Sequence, residues 1–561
     1  MRWLEEQTVS TDVLVIGGGV AGLRCALEAG KAGLRVLLVS RTRLDDSGTS
    51  NADVAEMAGF NAPEEESDVE SYYEDMRKAG QGIDDPHLTS LIATEAHEIL
   101  EEMKGWGVPF EKNPDGSLYT YRGCFSSFPR THVVKGHGRG MTKVLRKQLC
   151  QCPTVSFLEG VAVSLITSNG RCVGVHVIGP QKESIAIWAG AVVFATGGSG
   201  KAFSRHFSPA DITGAGYVLA YEAGAKLVNL EFMQVGLGFS YPVINIFNGY
   251  IWQGIPLLTD RDGNNIFGKG VLENPSYEKI LYDHIWHYPF SSSDESKWLE
   301  IRINQVATSS QGTDHHGVLC DLTHMTDAYV KALDDRSGIH HMWPLAYEFM
   351  KERGCDLLRQ PVEIACFQHA MNGGIRIDEW GRTSLPGLFA VGECAGGPHG
   401  ADRLGGNMFV TSLVMGRRVG RYLATHSMKR DKGAEDASSR ERYEKAVSLV
   451  FAEKDGMKET IARLQELNQK CLLVNRSQAG LQELLAFDEA LVPQLEDRPA
   501  QDTSQLDFSA FDLWCMTLST QLIAKSALER RESRGSHFRE DYPTKDPAFG
   551  FVLERQKDGV Q

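Results

Sequence analysis

The sequence predicts an α/β fold in which the main domain is interrupted by an inserted segment and followed by a helical domain. Apolar runs of strand length lead into glycine clusters at widely separated positions. The pattern becomes aromatic and less periodic between residues 235 and 354, and helical periodicity with charged faces dominates from residue 429. We therefore expect one domain over residues 1–234 and 355–428, a second over 235–354, and a third over 429–561.

The first strand–helix–strand unit contains a glycine fingerprint. Residues 12–16 form a continuous apolar run, which suits a strand buried on both faces, and they lead into Gly17-x-Gly19-x-x-Gly22. An Ala/Leu-rich helix and a second apolar run at residues 35–39 follow. The glycines permit a tight turn and close backbone approach, while the helix N-terminus offers amide donors to a pyrophosphate. The unit therefore predicts dinucleotide binding.

The residues after the second strand disfavour a nicotinamide cofactor. Enzymes that bind NAD carry an acidic residue about 20 positions after the glycines, where it holds the ribose. Here Ser40 and Arg41 end the second strand instead. The nicotinamide hypothesis is weakened accordingly.

Two further glycine clusters occur much later in the chain. Residues 191–198 form an apolar run that ends in Gly197-Gly198, and residues 390–407 contain Gly392, Gly396, Gly400 and the pair Gly405-Gly406. A chain that returns to glycine turns at separated places lets its backbone approach one large, phosphate-bearing ligand. Together the three clusters indicate a flavoprotein.

Composition limits the function classes. With 58 basic and 73 acidic residues the net charge is −15, which disfavours broad contact with nucleic acid or an anionic membrane. No basic N-region precedes an apolar segment, and no apolar run reaches the roughly 18 residues of a membrane span. The 11 cysteines are scattered without iron–sulfur or zinc spacing. We expect reduced thiols, no bound metal, and a cytoplasmic protein without direct membrane insertion.

Several long motifs, in order, resemble the flavoprotein subunits of succinate dehydrogenase and fumarate reductase, and L-aspartate oxidase. They include residues 213–216, 222–234, 320–324 and the C-terminal stretch 531–543. The resemblance extends nearly from end to end. It implies a discontinuous Rossmann-like FAD-binding domain, an inserted α+β capping domain and a C-terminal helical domain.

The resemblance also assigns two substrate-binding residues. His369 and Arg403 match family residues that hold the substrate's carboxylates beside the flavin. A guanidinium group pairs with a carboxylate in bidentate geometry, and an imidazole adds a donor. The structural alternative for His369 is a core histidine whose hydrogen bonds are made within the protein. For Arg403 it is an ion pair inside the protein. The helix after Gly405-Gly406 is expected to direct its N-terminus at the isoalloxazine ring and to stabilise the reduced, anionic flavin.

The same comparison predicts the residues that contact FAD. They are Gly17, Gly19, Val20, Ala21, Gly22, Ser40, Arg41, Ser47, Thr49, Ala162, Ala195, Thr196, Gly197, Gly392, Glu393, Arg403, Gly406, Asn407 and Met408. Relatives that tether FAD covalently use a histidine shortly after the second strand, and residues 44–52 contain none. FAD is therefore expected to bind non-covalently.

Two departures from the family pattern affect the chemistry. Residues 235–238 read Val-Gly-Leu-Gly where the family carries His-Pro-Thr, and residues 250–256 lack the arginine that shuttles the proton. Loss of an acid–base group costs roughly 10²–10⁴ in rate, so turnover of succinate or fumarate is not expected. Tyr250 and Trp252 would offer aromatic surface to a larger or less polar substrate. Tyr250 is also the candidate acid–base residue.

The sequence thus predicts an FAD-dependent oxidoreductase that transfers hydride between flavin N5 and a carbon of an organic acid. One alternative is an amine oxidation like that of L-aspartate oxidase, which the missing arginine also disfavours. Another is a non-catalytic, FAD-carrying electron-transfer subunit. Because the chain lacks iron–sulfur ligands, its flavin needs an electron acceptor: an iron–sulfur or other partner subunit, a quinone, oxygen or a soluble carrier. Such a partner would also bring it to a membrane periphery.

Overall fold

The computed structural model describes residues 6–52, 57–268, 277–286, 288–426, 434–499 and 506–557. In chain order, the strands of these residues are β1 (Glu6–Ile16), β2 (Val36–Ser40), β3 (Met57–Asn61), β4 (Thr120–Tyr121), β5 (Thr131–Lys135), β6 (Val155–Glu159), β7 (Val161–Ser168), β8 (Arg171–Ile178), β9 (Ser184–Phe194), β10 (Leu227–Val228), β11 (Met233–Tyr241), β12 (Asn245–Ile246), β13 (Leu257–Thr259), β14 (Val318–Asp321), β15 (Val362–Met371), β16 (Gly374–Arg376), β17 (Leu388–Ala390), β18 (Ala395–Gly396) and β19 (Glu554–Arg555).

The α-helices of the same residues are distributed along the whole chain. They are α1 (Val20–Lys31), α2 (Val69–Gly80), α3 (Pro86–Trp106), α4 (His137–Leu149), α5 (Ala215–Glu222), α6 (Tyr277–His284), α7 (Trp298–Ala307), α8 (Asp327–Ala332), α9 (Ile339–Glu352), α10 (Asn407–Thr425), α11 (Ala437–Val450), α12 (Met457–Cys471), α13 (Gln478–Glu496) and α14 (Ser509–Glu529).

The main sheet has seven strands in the order β6-β2-β1-β9-β8-β7, and β17 also pairs with β9. Strands β6, β2, β1, β9 and β17 run parallel, whereas β7, β8 and β9 form an antiparallel meander. Strands β2, β9 and β17 are largely apolar and buried, as expected when both faces of a sheet are covered, whereas β6 at the edge is partly exposed. This is the Rossmann-like part of the predicted α/β class.

Strand register brings the glycine clusters together. Ile16 of β1 is level with Val39 of β2 and with Phe194 of β9, and Phe194 is level with Ala390 of β17. The glycine turns follow directly after three of these strands. Parallel strands that end level open onto one edge of the sheet, which is where ligands bind in folds of this kind.

Helix α10 packs closely on α1 because two of its residues are glycines. A Cβ at Gly416 would lie 2.8 Å from the carbonyl oxygen of Ala21, and one at Gly420 would lie 2.7 Å from that of Cys25. Any side chain at these positions would push the helices apart. The helix after the last glycine cluster is therefore held against the helix after the first.

The inserted segment contributes to a second sheet, with five strands in the order β12-β11-β15-β14-β13 and antiparallel pairing. The middle strand is β15, which lies beyond residue 354 and carries His369. This sheet therefore joins the start of the predicted capping segment to the second part of the predicted FAD-binding domain. The domain boundaries themselves stay a prediction.

The C-terminal region consists mainly of the helices α11 to α14, followed by an irregular segment tied to the centre of the molecule. Arg530 forms buried ion pairs with Glu231 at 2.6 Å and with Glu532 at 3.1 Å, and Arg534 pairs with Glu532 at 2.7 Å. Removing one partner of such a network leaves an uncompensated buried charge, which typically costs about 3–5 kcal/mol. The C-terminal motif thus anchors the helical region to the rest of the fold.

Within the described part of the chain, no helix combines the length and apolar character that crossing a membrane requires.

Candidate active site

The first glycine turn lies against the turn after β9. Gly17 has a φ of +117°, and a Cβ there would lie 2.1 Å from the carbonyl oxygen of Ala195. A Cβ at Gly22 would lie 2.0 Å from the carbonyl oxygen of Gly17. Glycine is required at both positions, at the first for conformation and at the second so that α1 can start directly behind the turn.

A loop after the second strand packs over this turn. The backbone N–H of Val20 donates to Ser50 Oγ at 3.4 Å, and the backbone N–H of Gly48 donates to Asp211 Oδ2 at 3.2 Å. Ser47 and Thr49 lie in the same loop, on the wall of the cavity that it helps to enclose. Small hydroxyl residues at this place suit hydrogen bonds to a phosphate.

The glycine turns open onto one elongated cavity of about 330 Å³. Most of the predicted site residues line it. They are Gly17, Gly19, Val20, Ala21, Arg41, Ser47, Thr49, Ala162, Ala195, Thr196, Gly197, Tyr250, His369, Gly392, Glu393, Arg403, Gly406 and Met408. Residues from both predicted parts of the FAD-binding domain and from the inserted segment therefore line the same cavity.

Three residues predicted to contact the cofactor lie off this wall, each for a physical reason. Gly22 is behind the first turn, in contact with Gly17. Ser40 is buried beneath Gly18, whose Cβ would lie 3.3 Å from Ser40 Oγ. The Asn407 side chain is turned into the interior, where its Oδ1 accepts hydrogen bonds from Asn61 Nδ2 at 2.6 Å and from Tyr72 at 2.8 Å.

Helix α10 begins at the cavity. Its N-cap residue, Gly406, has a φ of +86° and supplies no side-chain hydrogen bond, and no acidic residue occupies the first turn. Met408, Phe409 and Ser412 from its first turns line the cavity. The partial positive charge of the N-terminus is therefore available to an electron-rich group, as it is at the similarly uncapped N-terminus of α1.

Arg403 is almost completely buried, at 5% exposure, yet has few partners. Its Nη1 donates to the Leu404 carbonyl at 2.9 Å, while Nε has no hydrogen-bond partner among the described residues. Burial lowers the pKa of Arg403 to about 10, partly offset by the charge of Glu393, so the guanidinium stays protonated at neutral pH. A buried, charged and incompletely bonded guanidinium fits an anionic ligand.

The backbone on either side of Arg403 is held from several directions. Gln234 Nε2 donates to the Arg403 carbonyl at 3.0 Å, and Ser291 Oγ donates to Asp402 Oδ2 at 2.7 Å. Ser536, in the C-terminal motif, donates its hydroxyl to the Ala401 carbonyl at 2.9 Å. The guanidinium group is thus placed by contacts from three separate parts of the chain.

His369 lies on β15 in the same cavity. Burial, followed by the charges of Arg403 and His137, lowers its pKa to about 3, so the imidazole is neutral at physiological pH. Its Nδ1 has no hydrogen-bond partner in the described structure, and the Tyr288 ring packs edge-on at 5.4 Å. A neutral imidazole can donate one hydrogen bond or accept one, but it adds no charge.

The two aromatic residues singled out in the inserted segment have different positions. Both lie in a 3₁₀ helix over Gly249–Gly254, and Tyr250 lines the cavity. Trp252 does not line it: the indole packs in the core, 4.5 Å from the Phe247 ring and 5.8 Å from the His284 ring. The expectation that Trp252 presents surface to the substrate is therefore wrong, because a 3₁₀ helix has about three residues per turn and points Tyr250 and Trp252 in different directions.

The structure adds cavity residues that the sequence did not reveal. They include Tyr121, Arg122, Cys124, His137, Trp286 and Tyr288. One signal was present: His137 lies in a glycine-rich stretch, residues 136–140, and a Cβ at Gly138 would lie 2.2 Å from the Ser50 carbonyl oxygen. The other residues belong to loops or, for Tyr121, to the short strand β4, and none lies in a recognisable motif, so only the tertiary structure places them.

The residues present fit FAD: two helix N-termini without side-chain caps, glycine turns that a Cβ would fill, and a cationic group deep in the same cavity. Residues 12–409 match the family described as FAD binding domain, and residues 461–551 match the fumarate reductase flavoprotein C-terminal family. The chain therefore belongs to the family of FAD-dependent oxidoreductases that includes fumarate reductase flavoproteins and L-aspartate oxidases.

Individual relatives are similar over their full lengths. The chain is 28% identical over 572 residues to a subunit of the CoM/CoB fumarate reductase of Methanothermobacter marburgensis, covering 99% of both chains. It is 27% identical over 539 residues to L-aspartate oxidase of Neisseria meningitidis serogroup B, covering 94% of this chain and 99% of the relative. Among solved structures, Mycobacterium smegmatis Sdh1 in complex with UQ1 superimposes with a TM-score of 0.82 at 26% identity, covering 99% and 93%. These similarities confirm the predicted fold class, cofactor and enzyme class.

Proposed function

We propose that this flavoenzyme oxidises or reduces an organic acid whose carboxylate is held by Arg403 and His369. The observation that carries the proposal is the Arg403 guanidinium, which is buried in the flavin cavity and protonated, and whose Nε has no hydrogen-bond partner among the described residues. Bound FAD would supply hydride transfer at N5. The protein's own residues then have to bind the acid, orient its reacting carbon and move a proton.

Each of these tasks has a candidate residue. The guanidinium fork of Arg403 fixes a carboxylate in two hydrogen bonds, and neutral His369 adds one uncharged contact. Tyr250 is proposed as the proton donor or acceptor, since it lines the cavity at 6% exposure where no family arginine is available. A phenol is a weaker acid than the reaction requires at neutral pH unless its surroundings favour the proton transfer.

Succinate and fumarate are not the proposed substrates, although two of the relatives are named fumarate reductases. The segment expected to carry the shuttle arginine folds as the 3₁₀ helix Gly249–Gly254, where Ile251 and Trp252 are buried and apolar. A second candidate is amine oxidation, favoured by the similarity to L-aspartate oxidase. That candidate predicts reduction of the flavin by L-aspartate.

FAD is proposed to be held without a covalent bond. The loop that follows the second strand lines the cavity with residues 47–50, all of them serine, glycine or threonine. We also propose that the reduced flavin passes its electrons to a partner subunit or a diffusible carrier. The relative in Methanothermobacter marburgensis is named as one subunit of its enzyme, which supports the first possibility. The cytoplasmic location, with any membrane contact made through such a partner, stays a prediction.

Binding of carboxylates tests the proposal directly. Oxidised holoprotein is titrated with a panel of organic acids while the flavin absorbance is recorded, and the rate of anaerobic flavin reduction is measured with each. Arg403→Lys keeps the charge but loses the planar fork, and a small misplacement of the reacting carbon can cost about 10²-fold in rate. FAD content and melting temperature should change little.

The matched control is Arg359→Lys, at an arginine whose side chain is 83% exposed and paired with Asp356. It should leave binding and rate as in the wild type. If Arg403→Lys keeps the wild-type rate, Arg403 does not hold the substrate; if the variant instead loses its FAD and what remains has a normal rate, Arg403 has a structural role. Either result would show that the proposal is wrong.

A further inference from the structure

Three arginines line the flavin cavity, and they differ in their partners. Arg41 is neutralised by Asp512, to which it donates two hydrogen bonds of 2.6 and 2.8 Å. Within the part of the chain that the structure describes, neither Arg122 nor Arg403 forms an ion pair with a carboxylate. The proposed function uses Arg403 only. Arg122 is therefore a second cationic residue of the cavity, and the proposed function gives it no role.

Arg122 is held in place without being neutralised. Its Nε donates to the Ser126 carbonyl at 2.7 Å, and its Cζ lies 4.9 Å from the centroid of the Trp286 ring. The side chain is exposed, unlike that of Arg403, so it lies where the cavity meets solvent. The two terminal nitrogens donate no hydrogen bond to the described residues. They therefore form an oriented pair of hydrogen-bond donors at the mouth of the cavity, where it opens to solvent.

Aromatic side chains connect this mouth to the carboxylate site. Trp286 contacts Arg122, and two residues further on the Tyr288 ring packs 5.4 Å from His369. The backbone N–H of Tyr288 donates to Cys124 Sγ at 2.9 Å, which ties this wall to the loop that carries Arg122. Planar rings along a wall suit a ligand with a planar, apolar body.

Two acidic residues also line the cavity. Asp211 accepts from the backbone N–H of Gly48, in the loop over the first glycine turn, and Glu393, whose charge acts on Arg403, accepts from the backbone N–H of Met371 at 3.0 Å. The contacts that connect Arg122 to His369 are made by the aromatic side chains of Trp286 and Tyr288. With an arginine at each end, such a surface favours an anion at each end of the bound molecule.

We propose that the substrate is an aromatic dicarboxylate: one carboxylate on Arg403, the ring along Trp286 and Tyr288, and the second carboxylate on Arg122. The inference rests on the proposed function, because it takes the Arg403 site as the first anchor. It goes further by naming the class of acid. It also explains why a segment with an aromatic side chain, Tyr250, replaces the polar one that short dicarboxylates need.

Three acids separate the contributions that the two carboxylates and the aromatic ring of the ligand make to binding. Succinate is a short dianion, 3-phenylpropionate an aromatic monoanion, and 3-(4-carboxyphenyl)propionate an aromatic dianion. Each is titrated into oxidised holoprotein with the flavin absorbance as readout. The aromatic dianion should bind about five- to tenfold more tightly than the aromatic monoanion, as expected for one additional charge-assisted contact, and both more tightly than succinate.

The dianion preference is the ratio of the dissociation constant of the aromatic monoanion to that of the aromatic dianion. In Arg122→Gln this ratio should fall to about one, while Arg359→Gln, at the exposed control position, should leave it unchanged. The preference in the wild type should also shrink with added salt, a readout that needs no variant. The inference is overturned if the aromatic dianion binds no more tightly than the monoanion, or if Arg122→Gln keeps the preference.

Failure of the underlying proposal has a different signature. If none of the three acids perturbs the flavin, or if Arg403→Lys binds all of them as the wild type does, then the carboxylate site itself is wrong, and this inference with it. If succinate and the aromatic acids bind equally well through Arg403, the proposed function stands and only the aromatic dicarboxylate is refuted.

Discussion

Substituting alanine for Gly22 should weaken FAD binding although Gly22 does not line the cavity. The added Cβ would lie 2.0 Å from the Gly17 carbonyl oxygen and 3.1 Å from the Ala195 Cβ. The nearest atom is backbone, so the clash is relieved only by moving the start of α1 away from the turn. Overpacking of this kind costs about 1–3 kcal/mol.

That cost affects the cofactor because Gly17 and Ala195 both lie on the cavity wall. If the displaced turn returns to its wild-type position only when FAD binds, the binding free energy of FAD is weakened by the whole overpacking cost. Since 1.4 kcal/mol corresponds to a factor of ten, the dissociation constant should rise about 5- to 150-fold. The assay is recovery of flavin fluorescence on serial dilution of holoprotein, with apoprotein melting temperature measured in parallel.

Gly105→Ala is the matched control. Gly105 lies in helix α3, and a Cβ there would meet no atom within 4 Å. Its FAD affinity should equal that of the wild type, and its stability should rise slightly because alanine restricts the unfolded chain. An unchanged dissociation constant and melting temperature for Gly22→Ala would refute the reasoning from the close contact.

Three other predictions concern the cofactor, the substrate and pH. Acid or heat should release the FAD into the supernatant, because residues 44–52 offer no histidine for a covalent bond; flavin that migrates with the denatured polypeptide on a gel would contradict this. Succinate should fail to reduce the flavin, and reduced enzyme should fail to turn over fumarate, because the shuttle arginine is absent; turnover of either at tens per second would show that another residue moves the proton. Burial lowers the pKa of His369 to about 3, below the roughly 6.5 of an unfolded histidine, so the stability gained by keeping it neutral is present above about pH 6.5 and lost as the pH falls towards 3. His369→Gln should therefore show a smaller drop in melting temperature between pH 7 and pH 4 than the wild type, and equal drops would argue against the lowered pKa.

Local patterns predicted the glycine turns that line one part of the cavity. Gly17 and Gly197 are needed for backbone conformations and close contacts that are local properties of a strand-to-helix or strand-to-loop turn, with φ of +117° and +72°. Such turns leave a signature in consecutive residues. The family resemblance also placed Ser40 and Asn407 in contact with the cofactor, whereas both side chains are buried away from the cavity.

The substrate-facing half depends on segments that are far apart in sequence. Tyr250 and Trp252 are two positions apart, and only the packing of their 3₁₀ helix decides that one faces the cavity and the other the core. Arg122 is an ordinary loop arginine in the sequence. Its role depends on its contact with Trp286, which lies 164 positions further along the sequence (286 − 122) and is brought beside it by the fold.

The sequence by itself thus determined the α/β class, the flavin cofactor and the family, because buried parallel strands and glycine turns are specified by residues that follow one another. Only the tertiary structure decided which of those strands end level, which loops close over them, and which arginines of the cavity form an ion pair with a carboxylate. These outcomes arise from long-range packing: among the described residues, no neighbouring segment places a hydrogen-bond acceptor beside Arg403 Nε or beside the terminal nitrogens of Arg122.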